Sequence, residues 1–185
     1  MSLAPDRSRI SLPRKEAADT MPCVEARWLS EEELTTWVRL VAFTELLPGV
    51  LDSQLRRDAE LSHFEYLVLA MLSEAPVRTL QMSVLAQRTN ATLPRLSHVV
   101  RRLEDRGYVQ RAACPGDGRA TNATLTDAGW DKIVASAPGH VEHVRRMVFD
   151  ALTPEQVTQL DEIAAAVLTH LDPEGRMSPR QPVRA

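Results

Sequence analysis

The spacing of apolar residues changes at Gly107. Before it, Leu96, Val99, Val100 and Leu103 recur at threes and fours, the period of one buried helix face. After it, residues 108–113 and 121–125 are short, β-tolerant segments, and between them runs CPGDGRATN (114–122), with two glycines and a proline where no core can form. A helix that gives way to two short strands around such a tip predicts a hairpin beside a helix. The tip alone leaves open a catalytic carboxylate, a metal clip or a hairpin that probes nucleic acid, and its flanking segments decide among them.

Upstream, Ser62-His63-Phe64-Glu65 is a capping box opening a helix with Phe64, Leu67, Val68, Met71 and Leu72 inward, which Ala75-Pro76 ends. A short helix over about 82–88 follows, then a tight turn at Thr89-Asn90-Ala91 in which Asn90 tolerates the left-handed conformation. Thr92 caps a helix running to Arg106, and Gly107 terminates it. The order is helix, helix, turn, helix, hairpin, which predicts a winged helix-turn-helix over about 62–125.

Long helices flank this block. Ser30 caps one with Glu31, Glu32 and Glu33 in its first turn and Leu34, Trp37, Val38 and Val41 on one face; it is expected to kink at Pro48-Gly49 and continue to about Arg57. Thr126 caps another over about 127–151, interrupted at Pro138-Gly139. Thr153-Pro154-Glu155-Gln156 opens the last, whose stripe of Val157, Leu160, Ile163, Ala164, Val167, Leu168 and Leu171 is expected to be buried. Residues 1–27 and 172–185, proline-bearing and without a sustained period, are expected to be a flexible extension and a flexible tail around a domain of residues 28–171.

Composition narrows the function. Apolar residues make up 44% of the 185 but aromatics only 4%, so the core is Leu, Val and Ala; the fold class expected is mainly α with a small β-hairpin. The net charge is −3, yet the stretch from Arg88 to Arg119 carries +4, a polarity suited to a polyanion binder with a non-binding body. Two cysteines, Cys23 and Cys114, show no paired spacing, which argues against a disulfide scaffold or a zinc knuckle. The longest apolar runs are six residues, as in Leu67–Leu72, against roughly 20 for a bilayer span. No secretion signal is evident, so a cytoplasmic chain is expected. No Gly-rich phosphate loop, G-x-S-x-G or H-E-x-x-H occurs; neither catalysis nor a cofactor is expected.

On a helical wheel, 92–106 places Leu93, Leu96, Val99, Val100 and Leu103 on an anchoring side. Pro94, His98, Arg101, Arg102 and Asp105 point the other way, with Arg95 beside them and Ser97 at a margin. A helix of this diameter fits the DNA major groove. Thr92, Pro94, Arg95, Ser97 and His98 are the base-side candidates, and Arg101 and Arg102 the phosphate-side ones. A solvated charged helix would carry the same arginines. Arg119, at the hairpin tip, suits the narrow minor groove, and Asp117 suits a brace pairing with Arg119 or a strand arginine, or a plain turn residue.

The run LAQRTNATLPRLSHVVRRLEDRGYVQRAACPGDGRATNATLTDAG resembles the winged helix-turn-helix core of the MarR family of bacterial transcriptional regulators. Residues 103–109 (LEDRGYV) match the family's helix-to-strand junction, Asp117-Gly118-Arg119 its wing D-x-R motif, and residues 125–129 (LTDAG) its entry into the long helix. The resemblance implies a homodimer built by the first and last two helices (about 30–57 and 127–171). It implies recognition helices in successive major grooves and wings in the minor grooves, with Arg119 inserted there and Asp117 bracing it. The expected function is a homodimeric DNA-binding regulator on a pseudo-palindromic operator, a repressor relieved by a small-molecule effector. The alternatives are a winged-helix protein-interaction module without DNA binding and a metal- or redox-responsive regulator. The first helix has no cysteine for redox sensing; His140 and His143, without a ligand cluster, are expected to be surface histidines and no metal is expected.

Overall fold

A computed structural model describes residues 26–114 and 117–177, with backbone alone at 117–119. It falls into two units, 1–38 and 39–185. In the first, Ser30 and Glu33 cap each other: the Ser30 N–H donates to Glu33 Oε2 at 2.7 Å and the Glu33 N–H to Ser30 Oγ at 3.1 Å. This opens helix α1 (Glu31–Ala59), and Trp28, Leu34, Trp37 and Val38 are exposed on the unit. Most of the 1–27 extension, Cys23 and the tail beyond 177 lie outside the described residues.

In the second unit α1 runs unbroken through Pro48-Gly49 to Ala59, where the sequence predicted a kink and an end near 57. Proline deprives only the Thr44 carbonyl of its partner, and Thr44 is exposed to solvent. Then come α2 (His63–Ser73), β1 (Thr79–Gln81), α3 (Met82–Arg88), α4 (Leu93–Asp105), β2 (Val109–Cys114), β3 (Asp117–Leu125), α5 (Asp127–Met147) and α6 (Pro154–Leu171). The expected caps form: Ser62 and Glu65 make the reciprocal box on α2, Thr92 accepts from Arg95 N, Thr126 from Gly129 N, and Thr153 pairs with Gln156. Asn90 and Gly107 take the left-handed conformation at φ 46° and 75°. Helix α5 passes through Pro138-Gly139 without interruption and ends earlier than expected, a 3₁₀ turn at Phe149–Ala151 taking over.

The sheet is antiparallel in the order β1-β3-β2. Strand β1, which the sequence reading missed, is only three residues long; Thr79 pairs with Thr124, and their hydroxyls lie 2.9 Å apart. The core joins Leu55 and Leu61 to Leu69 and Leu72 of α2, Leu85 of α3 and Leu96, Val100 and Leu103 of α4, all fully buried. Each contributes about 1.5–3 kcal/mol of burial.

The two motifs flanking the wing meet in space. Thr126 N–H donates to the Tyr108 carbonyl at 3.1 Å, and Thr126 Oγ1 donates to the Gly107 carbonyl at 2.7 Å while accepting from Gly129 N at 3.0 Å. A Cβ on Gly129 would collide with the Tyr108 carbonyl oxygen and come within 2.7 Å of Leu125 Cδ1. That close approach explains the glycine at the end of residues 125–129.

Two expectations of burial are corrected, and one of apolar length. The α6 stripe is not buried within the chain: Leu160, Ile163, Val167 and Leu171 are exposed, as are Leu40, Phe43 and Leu46 of α1 and Val134 and Val141 of α5. Leu93, placed on the anchoring side by the wheel, is 49% exposed because the first turn of α4 extends past the core. By length and composition alone α1 is also apolar enough to cross a bilayer, which the short uninterrupted runs concealed because isolated charges break them.

Candidate nucleic-acid interface

Helix α4 is seated by one face and open on the opposite one. Leu96, Val100 and Leu103 are fully buried, while Thr92, Pro94, His98, Arg101 and Asp105 are exposed along one side. The margins of the open side are occupied differently. On one, Arg95 and Arg102, two turns apart, lean on the first turn of α2: the Arg95 guanidinium carbon sits 4.4 Å above the Phe64 ring, and Arg102 Nη2 lies 3.1 Å from Glu65 Oε1. On the other, half-buried Ser97 and exposed Leu93 line a cleft of about 330 Å³ with Gln81, Ser83, Arg111 and Thr121, between the helix and the wing.

The predicted arginine cluster is therefore not uniformly free. Arg111 is locked to Glu104 of α4 by Nη2 at 2.6 Å and Nε at 2.8 Å to Oε2, and its backbone N–H reaches Oε1 at 3.1 Å. The hydrogen bond from Arg111 holds the Glu104 carboxyl below the ordinary glutamate range, and its other bonds and charge add to this against modest burial. This pair fastens β2 to α4. Arg106 donates to the Glu60 carbonyl at 3.0 Å and covers the Tyr108 ring at 4.9 Å. Arg101 remains exposed on the open side.

The strands of the wing extend further than the sequence suggested, β2 to Cys114 and β3 from Asp117. Strand β3 begins at Asp117, and Cys114 pairs with Asp117 across an irregularity at residues 113–114. Asp117 and Arg119 both belong to β3, so the two lie on the same strand by backbone, and their side chains are outside the described residues.

Away from this surface lies a polar junction that sequence reasoning missed. His143 is 8% exposed and His140 half-buried, contrary to the expectation of surface histidines. Where α1, α2 and α5 meet, His140 Nδ1 donates to Gln54 Oε1 at 3.2 Å, and the Tyr66 and His63 rings lie 4.4 and 6.3 Å from the His140 ring. Gln54 donates on to Asp58 at 3.1 Å, and Arg146 donates to His143 Nδ1 at 2.8 Å. His140 read as surface because its partner Gln54 stands on a helix 86 residues earlier in the chain, whereas His143 is bonded to Arg146 one turn on in its own helix.

A three-stranded sheet with its hairpin beside a helix-turn-helix, flanked by long helices, defines a winged helix-turn-helix protein. Residues 61–120 match the MarR family. The chain is 46% identical to Sco3205, a MarR family transcriptional regulator from Streptomyces coelicolor solved in complex with DNA, with a TM-score of 0.77 over 80% of this chain and 93% of that one. It is 35% identical to AbsC, a MarR family transcriptional regulator of the same organism, with a TM-score of 0.74 over 79% of this chain and 98% of that one. It is also 40% identical over 65 residues, 35% of this chain and 45% of the relative, to the HTH-type transcriptional repressor Rv2887 of Mycobacterium tuberculosis. The chain belongs to the MarR family of transcriptional regulators, and its relatives are regulators rather than enzymes.

Proposed function

We propose that the protein is a homodimeric, sequence-specific DNA-binding repressor of the cytoplasm, acting on a pseudo-palindromic operator and relieved by a small-molecule effector. The observation that carries the reading is the open side of α4, with His98 and Arg101 exposed beside the wing while the opposite face is fully buried. A relative of 46% identity whose structure was solved with DNA supports it, and the relative named as a repressor supports the direction of control. In this reading Thr92, Pro94, Arg95, Ser97 and His98 face base edges and Arg101 meets a phosphate, whereas Arg102, the other phosphate-side candidate, is turned to Glu65. Arg119 enters the minor groove and Asp117 braces the wing.

The dimer rests on the exposed apolar residues of α1, α5 and α6, which a second copy would cover. The same covering accounts for the apolar length of α1 without a bilayer, since its first turn carries three glutamates. Residues 28–171 then form one regulatory domain, with about 30–57 and 127–171 making the dimer. An effector lowers operator affinity by its preference for a dimer whose recognition helices are misplaced.

The test is a mobility shift with the DNA upstream of the protein's own gene. Wild type is expected to retard it in preference to a scrambled duplex, and Arg101→Ala and Arg119→Ala to abolish the shift. Equal weak binding to both duplexes would overturn sequence-specific regulation.

A further inference from the structure

Glu65 is 1% exposed, a burial almost never granted to a carboxylate without compensation. Its Oε2 accepts from the Ser62 N–H at 2.7 Å and the Ser62 hydroxyl at 2.9 Å, the return half of the capping box. These bonds engage one oxygen. The other, Oε1, is turned away from the cap, is itself buried, and has the Arg102 guanidinium 3.1 Å away as an ion pair rather than a directed hydrogen bond.

A cap alone does not need this charge: Gln156 closes the equivalent box on α6, with its Oε1 accepting from Thr153 N at 2.9 Å. The carboxylate on α2 therefore has a second use, and it faces the recognition helix. The residue before it, Phe64, holds Arg95 by its ring face at 4.4 Å. Two neighbouring side chains of α2 thus grip the two arginines on one margin of α4, one turn from its start and one turn from its end. Glu104–Arg111 holds the same helix to the wing.

Resting on the DNA-binding reading above, we propose that Glu65 is a positioning residue for sequence recognition. Through Arg102 it fixes the roll of α4, so that the open side meets base edges squarely, and Arg102 serves this seat rather than a phosphate. Glu65 touches no DNA in this account, yet specificity depends on it. A loosened helix still presents the same positive charge, so the loss falls on discrimination and not on general affinity for a polyanion.

The experiment measures binding of the full-length wild type, Glu65→Gln, Arg102→Gln, Arg102→Lys and the double Gln variant to two probes, the upstream DNA and a scrambled duplex of equal length, across a salt series. Glutamine at 65 keeps the cap, and thermal melting confirms which variants fold. The ratio of the two affinities is expected to fall about tenfold in Glu65→Gln and Arg102→Gln, with the double variant no worse than either and Arg102→Lys partly restored. Binding to the scrambled duplex should be no weaker than wild type in Glu65→Gln, an outcome that simple destabilisation does not produce. An unchanged ratio in both single variants overturns the proposal. So does an Arg102→Gln that weakens both probes alike and flattens the salt slope by about 0.9 per subunit, the mark of a lost phosphate contact. If Glu65→Gln does not fold, Arg102→Gln against Arg102→Lys decides the same question. Wild type binding both probes equally weakly defeats the DNA-binding reading itself, and is seen before any variant is made.

Discussion

His63 and His140 stand with ring centres 6.3 Å apart where α1, α2 and α5 meet. Burial holds the His63 imidazole below its ordinary value, against the pull of Asp52; burial holds His140 low too, and the neighbouring His63 and His143 add to it. The unfolded histidines take up protons near pH 6.5, the folded ones only at lower pH. Between those values the unfolded chain binds more protons, so stability is full above about 6.5 and is lost as pH falls below it. The melting temperature is expected to drop between pH 7 and 5, and less steeply in His140→Gln; a wild-type curve no steeper than that of the variant contradicts the account. Gly129 is a steric requirement rather than a flexible hinge. Gly129→Ala drives a methyl into the Tyr108 carbonyl and should cost about 2 kcal/mol or more, read from the shift of the urea midpoint at constant slope.

Among the elements, the wing is a lever tied to α4 by Glu104 and Arg111. Arg111→Met should speed amide exchange over residues 109–114 and 120–125 while the core amides of α4 at Leu96, Val100 and Leu103 keep their protection; unchanged exchange in the wing contradicts the tie. Caps, the left-handed Asn90 and Gly107, and the extent of α3 were legible in the sequence because each depends on residues within four positions. Strand β1 was not, since three residues carry no period and Thr79 finds its partner forty-five positions away. The arginines of α4 were legible as a face but not as individuals. Which of them leans on Phe64 or Glu65 depends on how two helices cross, and no spacing within α4 encodes that. The stripe on α6 was readable as apolar, but its exposure was not: periodicity marks an apolar face without saying whether the single chain covers it.

For the whole molecule, the apolar residues exposed on α1, α5 and α6 support the proposed homodimer. Sedimentation equilibrium at micromolar concentration is expected to give a dimer, and the pair Leu160→Glu with Ile163→Glu a monomer that loses operator binding; a wild type that stays monomeric removes the assembly from the account. In the proposed complex the acidic remainder of the chain would keep the body of the dimer off the duplex, so affinity would rest on the few cations of α4 and the wing. Whether the open side of α4 and the wing read one duplex together is decided by titrating upstream and scrambled DNA at salt from 50 to 200 mM. One dimer per upstream site is expected, with a clear preference over scrambled DNA and an affinity falling by about 10³–10⁵ across that range if ~6–10 phosphates are met. Binding that is weak, indifferent to sequence and flat in salt would contradict joint reading by helix and wing.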